Sequence, residues 1–200
     1  MLSVIINTCA LGPSSEEVRG SGGKSSLHAW RRYALRNFIL PLYTSRPINV
    51  IVVGEWEPGP YYRYLHVPSQ YFSCVDALHQ RQVAFEAARL ESELFLFQHD
   101  DHAIFDLFFN RHADVFSPRR WTHLRSAEAE RLNSGEDDGY ICGHAAIYRR
   151  EVLERCPWGN VPPVFTWDVE HTKQIQAAGF KIAWDAFDVY DVEFGAEPWK

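Results

Sequence analysis

The residues best equipped for chemistry stand together at the end of an apolar run, Leu94-Phe95-Leu96-Phe97-Gln98-His99-Asp100-Asp101-His102. Two adjacent ionised carboxylates repel, so such a pair faces water or a cation. The run in front of them has the length of a buried strand. A strand ending in this polar knot delivers it to the carboxyl edge of a sheet, where open α/β sheets place their ligands. A second candidate stretch is Trp167-Asp168-Val169-Glu170-His171. Asp168 falls in the first turn of an expected helix, where a carboxylate is favoured by the helix amino terminus. It reads equally as a plain cap. Glu170 is the reserve carboxylate, and Trp167 either walls a substrate or packs the helix down. His144, after Gly143, is either a substrate-facing group or a packed structural histidine. Glu136-Asp137-Asp138, set between Gly135 and Gly139, reads as a solvated turn.

Composition limits what these groups can act on. The 200 residues fit one domain, 1–200, with a full core. A net charge of −6 argues against broad electrostatic capture of nucleic acid or anionic membrane. An anionic substrate would therefore need a local cation. Arg119-Arg120-Trp121 with Arg125 is the one basic patch in view. Cys9, Cys74, Cys142 and Cys156 are scattered and form no Cys-x-x-Cys, which speaks against structural zinc or a disulfide scaffold. The opening residues lack the basic flank of a signal peptide, and no apolar run is long enough to span a bilayer. A cytoplasmic protein with reduced thiols is expected.

The elements that must position the candidates follow from periodicity. Leu2–Ile6 reads as a buried strand ending at Asn7-Thr8-Cys9. Residues 11–27, rich in Gly and Ser, read as a loop that is either a lid or a tolerated insertion. Trp30, Tyr33, Ala34 and Phe38 mark a helix closed at Pro41. Asn49–Val53 is a second strand ending at Gly54-Glu55-Trp56. Val75, Leu78, Phe85 and Ala88 mark a second helix, with Arg81 on another face. Strand, helix and strand at this spacing predict a parallel sheet that brings Thr8, Glu55 and Asp100 to one edge. Farther on, Ala113–Phe116 and Tyr140–Tyr148 read as strands. Arg119–Ser134 reads as a loop and helix facing a partner. Trp167, His171, Ile175 and Ala178 form a helical stripe stopped by Gly179, and Phe180–Trp184 and Phe187–Val192 read as two short strands.

In this order the motifs resemble glycosyltransferase family 2 proteins, over nearly the whole chain. Ser3-Val4-Ile5-Ile6-Asn7-Thr8 looks like their opening strand, and Ile51-Val52-Val53-Gly54-Glu55 like the second. The helix with Arg81 resembles their Arg-Asn helix. Gln98-His99-Asp100-Asp101 stands at the place of the Asp-x-Asp metal motif. Trp167-Asp168-Val169-Glu170 and Ala177-Ala178-Gly179-Phe180-Lys181-Ile182 resemble the Glu-Asp helix and the strand after it. The chain departs from the pattern at His99, Gly54 and Trp167, and at Asp191, where many members carry a metal-binding histidine.

The resemblance implies an α/β, GT-A-like, Rossmann-like fold with a mainly parallel central sheet flanked by helices. It implies transfer of a sugar from a nucleoside diphosphate sugar to an acceptor hydroxyl, inverting and metal-dependent. Thr8, Glu55, Arg81 and Asp100 would bind the donor, Arg81 through the diphosphate. Asp101, His99 and Asp191 would hold Mn²⁺ or Mg²⁺. Asp168 would be the general base, with Trp167, His144 and Glu170 on the acceptor side. The acceptor stays open between a glycan, a lipid-linked sugar, a small molecule and, less favoured by charge, a modified nucleobase. Two other readings stand beside this one. One is a metal-dependent phosphohydrolase, suggested by His99-Asp100 but requiring a helical setting. The other is a sugar-nucleotide or glycan-binding module without catalysis.

Overall fold

A strand buried at every residue must lie between two packed faces. Leu2–Thr8 (β1) is such a strand. Val4 and Ile6 pack into one core with Leu35, Ile39, Tyr43 and Leu96. Ile5 packs into the other with Phe85, Phe95, Phe97 and Trp158. The computed structural model describes residues 1–8, 31–68, 74–100, 102–104, 112–123, 129–131, 139–141, 143, 145–164 and 166–191. Among these, no helix is long and apolar enough to cross a membrane.

β1 pairs in parallel with Asn49–Gly54 (β2) and Leu94–His99 (β4), and Arg63–His66 (β3) adds in parallel to β2. This half of the sheet has the expected parallel arrangement. The other half does not. Ala145–Arg149 (β8) runs antiparallel to β4, and Val115–His123 (β6) antiparallel to β8. Ile182–Asp191 (β9) then pairs in parallel with β6, and His102–Ala103 (β5) returns antiparallel to the end of β9. The strand order is β3-β2-β1-β4-β8-β6-β9-β5, with Ala129–Arg131 (β7) beside β6. The expected parallel pairing holds for β1 with β2 and β4, β2 with β3, and β6 with β9, but the sheet is mixed, because β8, β7 and β5 add antiparallel. Its amino-terminal half is built throughout from crossover units, which demand parallel pairing.

Helices cover both faces. A π-helical turn, Leu35–Ile39, leads into Leu40–Thr44 (α1) on the first face. Pro41 does not end the helix as expected. It sits in the first turn of α1, where a missing N–H costs nothing. Cys74–Ala88 (α2), Arg150–Arg155 (α3) and Trp167–Ala177 (α4) cover the second face. Gly179, at φ +82°, stops the chain after α4 in a conformation that favours glycine.

Three local expectations are corrected. Arg119–Ser134 carries the end of β6 and all of β7, where a loop and helix were expected; residues 124–128 and 132–134 lie outside the described set. The two strands expected after Gly179 are one continuous β9. Its register against β6 shifts on either side of Pro118, whose missing N–H interrupts the ladder without ending it. The strand expected from Tyr140 begins only at Ala145.

Candidate active site

β1 ends against β2 through Gly54, whose φ is +122°. A Cβ there would stand 1.9 Å from the Thr8 carbonyl oxygen, so only glycine allows the approach. The Glu55 N–H then donates to that same oxygen at 3.1 Å. Thr8 in turn donates from Oγ1 to Asp100 Oδ2 at 2.7 Å. Thr8, Glu55 and Asp100, all buried, therefore meet at the carboxyl edge of the parallel strands.

Asp100 has a second partner that sequence reasoning missed. Arg31 Nη1 lies 3.3 Å from Asp100 Oδ1, and both side chains are almost wholly buried. Nothing in the local pattern marks Arg31, which precedes the π-helical turn by one helical turn. Beneath Asp100, Gln98 holds the turn closed. Its Nε2 donates to the His102 carbonyl at 2.7 Å, while its Oε1 accepts from the Tyr43 hydroxyl. Burial pushes the Tyr43 pKa up, which keeps that donor protonated.

His99 and His102 meet edge to face with ring centroids 5.9 Å apart. β5 pairs His102 with Asp191, so the backbone of Asp191 reaches the knot. The side chain of Asp191, and the whole of Asp101 and His144, lie outside the described residues. Among the described residues, no three His, Cys, Asp or Glu side chains converge on one point. Asp100 has one oxygen on Thr8 and the other on Arg31, which fits a carboxylate fixed by the protein better than a direct metal ligand. Because Leu94–His99 is a strand, the helical setting that the phosphohydrolase reading requires is absent.

The Asp168 group stands on the other face. β8 opens at Ala145 opposite Gln98, so Gly143 lies at the same sheet edge as the acidic knot. Ile141 N–H donates to Thr172 Oγ1 at 2.8 Å and ties this segment to α4. Asp168 Oδ1 accepts from Val169 N–H at 2.9 Å, as a first-turn carboxylate does. Its other oxygen faces Gly143: a Cβ on Gly143 would stand 3.3 Å from Oδ2 and 2.8 Å from Trp167 Cζ2. The half-buried Asp168 carboxyl has a raised pKa, because desolvation outweighs its hydrogen bonds from Val169, Asp168 and Gly143 and the charge of Arg81.

The remaining expected residues fall in different settings. Arg81, expected to face a diphosphate, is fully buried. Its Nη2 donates to the Gly143 carbonyl at 2.5 Å, and its guanidinium lies 4.8 Å from the Trp167 ring, 5.0 Å from Trp158 and 5.6 Å from Phe97. Trp167 is part of the core cluster rather than a free wall. Glu170 is engaged on the helix surface with Lys173 at 2.7 Å. His171 is buried against Trp158, with ring centroids 3.9 Å apart. Its Nε2–H donates to the Cys156 carbonyl, and burial lowers its pKa to about 4, so it is neutral at neutral pH.

No protein-family model matches the chain, and no curated protein does. Among solved structures, the chain is similar to A197 from STIV, with a TM-score of 0.51 and 12% identity over 96% of this chain and 85% of that one. A protein from Desulfovibrio desulfuricans G20, provisionally assigned as a nucleotide-diphospho-sugar transferase, gives 0.49 and 13% over 96% and 81%. The catalytic domain of Drosophila beta1,4galactosyltransferase 7, in complex with xylobiose, gives 0.49 and 10%. The chain covers 63% of that domain, and 92% of its own length is matched. At these identities the likeness is one of chain course and not of side-chain chemistry.

Proposed function

We propose that this protein is a GT-A-like glycosyltransferase that moves a sugar from a nucleoside diphosphate sugar to an acceptor hydroxyl with inversion. One observation carries the reading. A half-buried carboxyl with a raised pKa, Asp168, stands at the sheet edge that also gathers Thr8, Glu55 and Asp100. An acceptor hydroxyl is a poor nucleophile at neutral pH and needs a positioned base. Asp168 takes its proton as the oxygen attacks the anomeric carbon. The bond from that carbon to the diphosphate breaks on the opposite face, and the diphosphate leaves with its charge. Thr8 and Glu55 hold the donor, and Asp100 fixes the Thr8 hydroxyl beneath it.

Asp101, His99 and Asp191 are the residues we propose for a divalent cation, Mn²⁺ or Mg²⁺, which when bound offsets charge on the diphosphate. The acceptor is a glycan, a lipid-linked sugar or a small molecule, with a modified nucleobase less favoured by the acidic balance.

The test starts from a thermal-shift panel of nucleoside diphosphate sugars with and without Mn²⁺. A ligand at about 100 times its Kd adds about 2.7 kcal/mol to the native state. The donor so identified then enters a transfer assay. Asp168→Asn should keep the donor-induced shift and lose transfer by about 10²–10⁴-fold. Donor binding with no transfer by the wild type would instead establish the non-catalytic binding module. Wild-type transfer rates in Asp168→Asn would leave that residue a helix cap.

A further inference from the structure

We propose that Arg81 is a positioning residue for the Asp168 carboxyl, acting by fixing the backbone of Gly143 beside it, and that it does not touch the donor. The inference rests on Asp168 as the working carboxyl of the site, but its central measurement does not require transfer to occur.

The geometry forms a chain of contacts from cation to carboxylate. Arg81 Nη2 donates to the carbonyl of Gly143. The Asp168 carboxyl stands against the same glycine, with Oδ2 3.3 Å from where a Gly143 Cβ would be, and the glycine backbone lowers its pKa. Holding the Gly143 carbonyl fixes the backbone of that glycine, and with it the surface the glycine presents to the carboxyl. The arrangement demands glycine at position 143, since a Cβ would press on Trp167 at 2.8 Å and 3.0 Å and crowd Asp168 Oδ2 at 3.3 Å. It also demands arginine at position 81. A planar guanidinium can lie over the rings of Trp167, Trp158 and Phe97 while presenting an N–H at its edge. Sealed behind these rings and fully buried, Arg81 is shielded from an incoming diphosphate.

Other charged or titratable groups around Asp168 do not duplicate this role. On its own helix, Glu170 is engaged with Lys173, and His171 is neutral and turned to the Cys156 carbonyl. On α2 the cation is Arg81 itself. Cys142 and His144, which flank Gly143, lie outside the described residues.

The experiment is a ¹³C NMR titration of the Asp168 carboxyl in the full chain, assigned through Asp168→Asn, for wild type, Arg81→Met and Gly143→Ala. Arg81→Met should move the Asp168 titration upward by on the order of one pH unit. Gly143→Ala, which disturbs the same link while keeping the cation, should move it in the same direction. The donor dissociation constant should stay at its wild-type value in Arg81→Met, and the acid limb of any transfer profile should follow the NMR titration. A folded Arg81→Met whose Asp168 titrates as in wild type overturns the proposal, as does a loss of donor affinity with the titration unmoved. If Arg81→Met fails to fold, Arg81→Lys carries the test. It retains the charge without the fork, so a smaller upward shift is expected, and no shift overturns the proposal. Absence of transfer in every protein, with the titration shifts present, would sink the transferase reading and leave the positioning role standing.

Discussion

Two buried arginines serve two aspartates at this sheet edge, and they do so differently. Arg31 touches Asp100 directly at 3.3 Å, with Thr8 on the other oxygen, and the carboxylate is sealed from solvent. Arg81 lies over three aromatic rings and holds the carbonyl of Gly143, the glycine against which Asp168 stands, and the carboxyl remains half-buried. Direct contact commits a carboxylate to the protein and fixes the fold around it. Contact by way of a glycine leaves the carboxyl half-buried, where desolvation raises its pKa. The same two residue types thus give a fixed acceptor on one face and a candidate base on the other.

The largest effect expected from breaking this contrast is at the direct pair. Arg31→Met leaves the Asp100 charge buried without that cation, which should cost about 3–5 kcal/mol of stability, read by urea denaturation at neutral pH. A loss below about 1 kcal/mol would mean that the pair behaves as an exposed one.

Next comes the neutrality of the second cluster. His171 has a folded pKa of about 4 against an ordinary 6.5. Between those values the unfolded chain binds a proton that the folded chain refuses, so stability falls as pH falls through that window, by on the order of 3 kcal/mol in all. His171→Gln retains a donor for the Cys156 carbonyl and should flatten this part of the acid limb in denaturation curves from pH 7 to pH 4.

The smallest effect sharpens the contrast from the other side. Because the folded pKa of Asp168 is raised, ionising it costs stability. Whatever its protonated form contributes is present below the ordinary value of 3.8 and is lost as pH rises through the folded pKa. Asp168→Asn keeps much of the capping ability and should therefore raise stability slightly at pH 7, by less than about 1 kcal/mol after solvent screening and read as a small rise in Tm, with no gain below pH 3.8. A fall in Tm at pH 7 would make Asp168 chiefly a stabilising cap.

The parallel half of the molecule was legible in the sequence because its signals are local. Apolar runs at Leu2–Ile6, Asn49–Val53 and Leu94–Phe97 are strands buried on both faces, and the polar residues that end them fall at one edge by chain direction alone. Asp168 was likewise legible, since a helical stripe beginning at Trp167 puts it in the first turn. The mixed half was not. β6 and β9 are specified by pairing with each other across the sheet, through register shifts around Pro118 that no local period encodes. Nor could the sequence assign the arginines. Arg81 read as a cation on another helix face, expected at the diphosphate, because α2 alone shows only which face is apolar. Its place behind three rings depends on Phe97, Trp158 and Trp167, which arrive from a strand, a turn and another helix. Arg31 and Asp100 are 69 residues apart, and only the packing of the π-helical region against the end of β4 brings them within 3.3 Å. Local periodicity thus determined which carboxylates reach the edge. Tertiary packing decided which cation serves each one, because desolvation and charge pairing depend on what surrounds a group in space.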